Sequence, residues 1–265
     1  MTKIITVKVS KGGVGKTTIS SNLAKVLSQN KKILMIDLDS QANLSRTFLR
    51  EFNEEKLSSS NLLGDDEVKL EDMIYNIDDN LDLIVADIGL HEVSKYLETL
   101  GEYYSKLKTM VANNFFNEYD YVILDLSPGV ADSITEIAIA ASDLLVCPTH
   151  FDIDSLSGLV LTIDDMSRLH DSQIIDTNLK YLVVPNRYDK RYKKDNEQII
   201  NMIYENLDEE FIADPIRENS HIKKARMYGQ TAIEYENEPE RKYEHKRANE
   251  DFTKLAKKIE NILKG

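Results

Sequence analysis

The sequence predicts an α/β fold, a doubly wound and mostly parallel sheet with helices on both faces. Three observations predict it. Short apolar runs recur along the chain as "ILMID" (33–37), "YVILD" (121–125), "LLVCP" (144–148) and "YLVVPN" (181–186), and such runs suit strands buried on both faces. Between them lie segments whose apolar residues repeat at helical spacing, at 132–141, 155–170 and 194–207; strands alternating with helices imply right-handed βαβ units. Finally, a glycine-rich loop, "KGGVGKTT" (11–18), joins a strand-like segment directly to a helical one.

In chain order, Ile4–Val9 reads as the first strand, and Ile19, Leu23, Val26 and Leu27 mark the helix after the loop. "NKK" (30–32) is a polar turn before the second strand. The polar stretch 50–80 is expected to hold a loop and one short helix, and the charged stretch 234–247 to be exposed. At the end, Phe252, Leu255, Ile259 and Ile262 or Leu263 fall on one helical stripe. With no internal repeat and no linker, residues 1–265 are expected to form a single domain, with no helix-turn-helix domain ahead of Ile4.

The composition narrows the function classes. The chain has 265 residues, 42% of them hydrophobic, enough for a full α/β core. No apolar run approaches the roughly 18 residues of a spanning helix, and the first residues do not read as a signal peptide. A single cysteine, Cys147, excludes an internal disulfide and fits a reducing cytoplasm. The five histidines are scattered, with no zinc-ligand spacing. Net charge is -13, which by itself argues against a nucleic-acid partner. The charge is uneven, however: residues 180–265 hold 18 Lys/Arg against 17 Asp/Glu, so a positive patch on one face is open to this third of the chain.

The loop carries the chemistry. Its end, Gly15-Lys16-Thr17, fits the pattern G-x-x-x-x-G-K-[ST], but Ser10 stands where the first glycine belongs and a second lysine, Lys11, precedes two glycines. Gly12, Gly13 and Gly15 let the backbone curl so that successive N–H groups face phosphate oxygens, and the helix N-terminus adds partial positive charge. Lys16 would reach the β- and γ-phosphates and Thr17 would give its hydroxyl to Mg²⁺; Val14 and Thr18 complete the cofactor-binding loop. Phosphoryl transfer also needs carboxylates for the metal and the water. Asp37 and Asp39 end one apolar run and Asp125 another, at strand C-termini, where open α/β sheets bind ligands.

"KGGVGKTT", "DLDSQAN" (37–43) and "YDYVILDLSPG" (119–129) resemble the deviant Walker A, switch I and Walker B/switch II segments of the ParA/Soj partition ATPases, kin of MinD. The similarity runs on through "VCPTHFDIDSLSGL" (146–159), "VVPNRYDKR" (183–191) and "DPIRENSHIKKARMYGQTA" (214–232), and so spans nearly the whole chain. The resemblance implies a P-loop NTPase that binds ATP and Mg²⁺ and forms a homodimer when ATP is bound. It implies that Lys11 crosses the dimer interface to the phosphates held by the other subunit. A cation from each side then offsets the charge of two facing triphosphates in a dry space. Lys11, Lys16 and Asp39 become the catalytic candidates, Asp39 as the acid that positions the attacking water. Thr17, Asp39 and Asp125 become the metal candidates, Gly129 the γ-phosphate sensor, and Asn186 and Arg217 the residues near adenine.

The resemblance also implies sequence-independent DNA binding by the ATP dimer, hydrolysis stimulated by a ParB-like partner, and nucleoid association in the cytoplasm. Lys223, Lys224, Arg226, Lys246 and Arg247 are the candidate DNA contacts, with Lys193 and Lys194 as further ones. Two other readings stand beside it. A MinD-like membrane-cycling ATPase would use the terminal helix as an amphipathic tether, with Lys254, Lys257, Lys258 and Lys264 opposite the apolar stripe, although such a stripe is more often the core face of a last helix. A non-catalytic nucleotide-binding regulator is disfavoured by Asp39. The chain departs from the family pattern at Ser40 and Ser127, where prolines are usual, and at "NRYD" (186–189); serine frees a backbone angle that proline fixes.

Overall fold

The structure is a computed structural model. It describes residues 1–264 except 54, 65–66, 102, 130–131, 176–178 and 242–243. In chain order the elements are β1 (Lys3–Val7), α1 (Lys16–Leu27), β2 (Ile33–Leu38), α2 (Ser45–Phe48), α3 (Ser59–Gly64), β3 (Ile74–Asp78), β4 (Leu81–Ile84), α4 (Leu90–Leu97), α5 (Lys106–Ala112), β5 (Tyr121–Leu126), α6 (Ser133–Ala140), β6 (Leu144–Thr149), α7 (Ile153–Asp171), β7 (Lys180–Tyr188), α8 (Lys193–Asn206), β8 (Ile216–Arg217), α9 (Ser220–Met227), α10 (Ala232–Asn237) and α11 (Arg247–Lys264).

The strands form one sheet in the order β3-β4-β2-β5-β1-β6-β7-β8. All pairings are parallel except β3 with β4. The expected doubly wound sheet is therefore present, and the apolar runs are its inner strands: β2, β5 and β6 are buried at every position. Alternate residues pack on opposite faces, as the pleat requires. Ile5, Val7, Met35 and Ile123 join α1 and the α11 residues Phe252, Leu255 and Ile259 on one face. Ile4, Ile36, Val122 and Leu124 join α6 residues on the other.

Helix starts follow the local chemistry. Asp132 caps α6 by accepting from the Thr135 N–H at 2.8 Å, and Asp152 caps α7 by accepting from Ser155 at 2.7 Å. Thr231 and Glu234 form a reciprocal capping box on α10. The 50–80 stretch corrects the expectation of a loop and one short helix: besides α3 it carries β3, an antiparallel edge strand. Its half-exposed, polar sequence hides the strand, as edge strands often do. The 234–247 stretch is a second correction, because Tyr235 and Glu236 are buried. Glu236 takes hydrogen bonds from Asn219, from the backbone N–H of Ala248 and Asn249 and from the Asn249 side chain, and pairs with His221, tying α9 and α10 to α11. The terminal stripe is core, and its apolar face is covered. Among the described residues no helix is long and apolar enough to cross a membrane.

Topology places the site. β1 lies between β5 and β6, and the chain leaves β1 toward β2 but leaves β6 toward β7. The loops therefore part above the C-terminal ends of these strands and open a crevice there. Register sets Asp37 beside Asp125 on neighbouring strands, with Val7 on the other side of Asp125.

Candidate nucleotide site

The loop between β1 and α1 turns as its glycines allow. Gly13 and Gly15 have φ of 80° and 96°, in the left-handed region. Gly15 also has no room for a side chain: a Cβ there would lie 2.4 Å from Nδ2 of Asn186. The loop opens onto a cleft of about 260 Å³. Gly13, Gly15, Lys16, Thr17 and Thr18 line one side, and Asp39, Gln41 and Asn43 line another.

Lys16 is buried, and its Nζ donates to the carbonyls of Val9 at 3.3 Å and Lys11 at 3.2 Å. Burial, reinforced by the nearby Lys8 charge, lowers its pKa to about 8, while Asp125 and Asp39 pull the other way. Thr17 Oγ1 donates to Asp125 Oδ2 at 2.8 Å, and Ser20 Oγ donates to Asp125 Oδ1 at 2.7 Å. Burial and the neighbouring Asp37 push the Asp125 carboxyl up to about 7. Asp37 is itself raised to about 6 by burial, and accepts from the Asp39 N–H, the Ser45 N–H and the Ser45 hydroxyl. Asp37 thus buttresses the segment that presents Asp39. Asp39 accepts from the Gln41 N–H at 3.0 Å and lines the cleft.

The hydroxyl of Thr17 and the carboxylate of Asp125 form a hard-oxygen pair at one edge of the cleft. That chemistry fits a small divalent cation completing its shell with water and phosphate oxygens. Among the described residues no three His, Cys, Asp or Glu side chains cluster to hold a metal alone.

Lys11 stands apart from this cleft. Its side chain is 41% exposed, and its Nζ lies 3.5 Å from Asp154 Oδ2 on α7. α7 packs so closely on the loop that a Cβ on Gly158 would come within 2.7 Å of the Lys11 Cβ. Thr162, one turn further, accepts from the Ser10 N–H at 3.0 Å.

The two expected base contacts, Asn186 and Arg217, both have protein partners. Asn186 is buried behind the loop, where Nδ2 donates to the Val14 carbonyl at 2.7 Å and Oδ1 accepts from the Arg187 N–H. It is not among the cleft-lining residues and acts as a prop for the loop. Arg217 lines a neighbouring depression with Tyr188, Asp189 and Arg247. Its guanidinium is committed to Asp251 at 2.7 Å and Glu250 at 2.7 Å. Among the candidate DNA contacts, Arg226 lines the nucleotide cleft. Lys223 pairs with Glu218 at 3.0 Å, and Lys246 donates to Asn237 at 2.7 Å. Lys193 pairs with Glu197, one turn along the same helix. Lys224 and Arg247 are exposed.

Sequence reasoning missed Arg187, Gln41 and Asn43 as cleft residues. Arg187 has φ 62°, beside a register shift between β7 and β8. Its one visible signal was the departure "NRYD" from the family pattern.

A left-handed glycine loop at a parallel-sheet crevice, with a buried lysine, a threonine–aspartate pair and a second strand-end acid, defines the P-loop nucleotide-binding class. The family model described as an AAA domain matches residues 2–181, and the chain belongs to that family as a ParA/MinD-type ATPase. A ParA family protein of Chlamydia muridarum is 28% identical over 270 residues, covering 99% of each chain. The ATP complex of a single-residue variant of Cyanothece McdA has a TM-score of 0.81 at 26% identity and covers 96% of each chain. A plasmid partition protein of Borrelia burgdorferi has a TM-score of 0.70 at 27% identity, covering 87% of this chain and 96% of its own.

Proposed function

We propose that this chain is a Mg²⁺-dependent ATPase of low intrinsic rate that partitions DNA cargo. It pairs with a second copy when ATP fills the cleft, binds double-stranded DNA without sequence preference as that dimer, and lets go when a ParB-like partner stimulates hydrolysis. The observation that carries this reading is the division between two lysines: Lys16 is buried among loop carbonyls in its own cleft, while Lys11 faces outward. α7, the helix packed against Lys11, also exposes Ile153, Val160 and Leu161. A cation left facing outward suits a partner that brings its own polyphosphate.

In this reading Lys16 and the loop N–H groups orient the triphosphate, and Asp39 holds the attacking water from across the cleft. Thr17 and Asp125 would hold Mg²⁺, which supplies charge neutralisation to the β- and γ-oxygens when bound. The membrane-tether alternative loses its support, since the stripe it needs is packed in the core. The non-catalytic alternative is disfavoured by the place of Asp39 in the cleft.

Light scattering with ADP or a non-hydrolysable ATP analogue tests the pairing. The wild type dimerises with the analogue only, and Lys11→Ala binds the analogue yet stays monomeric. A Lys11→Ala protein that dimerises like the wild type removes the cross-subunit role. Phosphate release no higher than that of Lys16→Ala, with Mg²⁺, DNA and partner present, removes the enzyme.

A further inference from the structure

Lys8 has no part in the nucleotide reading above, yet it is 1% exposed. It follows β1 by one residue, and its Nζ donates to the carbonyls of Ser127 and Gly129, each at 3.1 Å. Both carbonyls belong to the loop after β5, more than a hundred residues away in sequence. The Gly129 N–H donates back to the Ser10 carbonyl at 3.0 Å. Three bonds thus tie the switch II loop to the strand and loop that hold phosphate. Burying an ammonium is costly unless it is paired and hydrogen-bonded. A methionine of similar reach would fill the same space without that cost, so packing alone does not account for a lysine. The carboxylates of Asp132, Asp165 and Asp39 supply opposing charge around it.

We propose that Lys8 is a positioning residue for switch II, holding the Ser127 and Gly129 carbonyls so that the Gly129 amide can pass from Ser10 to a terminal phosphate without the loop coming apart. This rests on the reading of Gly129 as the γ-phosphate sensor. Gly129 has φ 114°, a conformation open to glycine, and a Cβ there would meet nothing within 4 Å, so the peptide has room to reorient. ADP offers no γ-phosphate and leaves the amide on Ser10. Lys8 therefore acts on the difference between ATP and ADP, not on nucleotide affinity as a whole.

The test compares affinities for ADP and a non-hydrolysable ATP analogue, with the Gly129 amide followed by NMR. Lys8→Met is expected to bind ADP within about twofold of wild type and the analogue about tenfold more weakly, the scale of a lost charge-assisted hydrogen bond. Lys8→Arg should recover part of the difference. Equal losses for both nucleotides, or no loss for either, overturn the proposal. A wild-type Gly129 amide that responds identically to ADP and analogue overturns the γ-phosphate reading and this proposal with it. A wild type that distinguishes them, beside a Lys8→Met protein that does so equally well, overturns this proposal alone. Should Lys8→Met not fold, hydrogen exchange on nucleotide-free wild type decides. A slowly exchanging Gly129 amide supports the tether, and exchange at the rate of an open loop overturns it.

Discussion

The two ends of this molecule use positive charge in opposite ways. At the phosphate loop, Lys16 and Lys8 are buried and bound only to backbone carbonyls, with carboxylates at a distance. In the C-terminal third, Arg217, Lys223 and Lys193 are engaged with carboxylates of their own neighbourhood. A carbonyl-held ammonium keeps its net charge for an incoming anion, whereas an ion pair has already cancelled it. The comparison teaches that counting basic residues overstates the positive face of the C-terminal third and understates the field in the cleft.

The largest test of that contrast is Lys16→Ala. Losing the charge-assisted contacts to phosphate should weaken ATP and ADP binding by at least about a hundredfold, read by calorimetry. Affinity retained within tenfold would mean that the loop backbone does the work alone. Next comes Arg217→Ala, which strands the buried Asp251 carboxylate and should cost about 2–4 kcal/mol of folding stability, with nucleotide affinity unchanged once the protein is folded. Loss of ATP affinity without loss of stability would return Arg217 to the base.

The strand-end acids give a smaller, pH-resolved effect. Folding raises the pKa of Asp125 to about 7 and of Asp37 to about 6, above the ordinary carboxylate value. The folded state then binds more protons than the unfolded state between about pH 4 and pH 7, so stability falls as pH rises through that window. Metal-free protein should melt at a lower temperature at pH 7.5 than at pH 5.5 on this account, and Asp125→Asn should flatten the slope. An unchanged slope in that variant assigns the effect to other groups. The smallest effect belongs to Lys223→Ala and Lys193→Ala, whose ammonium groups are already paired with Glu218 and Glu197. Each should change stability by less than about 0.5 kcal/mol and DNA affinity by less than about twofold. In a gel shift with the ATP analogue, Lys224→Ala should weaken binding more than either. A large loss from Lys223 would restore it as a DNA contact.

Legibility differs between the same two regions. The glycine loop was readable because its geometry is local: Gly13 and Gly15 need their left-handed angles whatever surrounds them. Asp37 and Asp125 were readable as strand-end acids, but their side-by-side register and shared burial came from the sheet. The partners that hold Asn186 and Arg217, Val14 and Asp251, were not legible because they lie far along the chain. Glu236 looked like one more exposed acid until helices 9 to 11 brought it five donor groups. Ser40, a departure from the family pattern, bonds His91 at 2.9 Å, which links switch I to α4 and which no local pattern shows.

By itself the sequence determined the parallel α/β architecture, the phosphate loop and the residues at strand ends. Each depends on short-range periodicity or on a backbone angle that only certain residues adopt. Tertiary structure alone decided which charges stay available, which are cancelled, and which, like Lys8, hold a distant loop. Those outcomes depend on distance and burial between residues far apart in the chain, and the electrostatic energy of a group is set by what surrounds it.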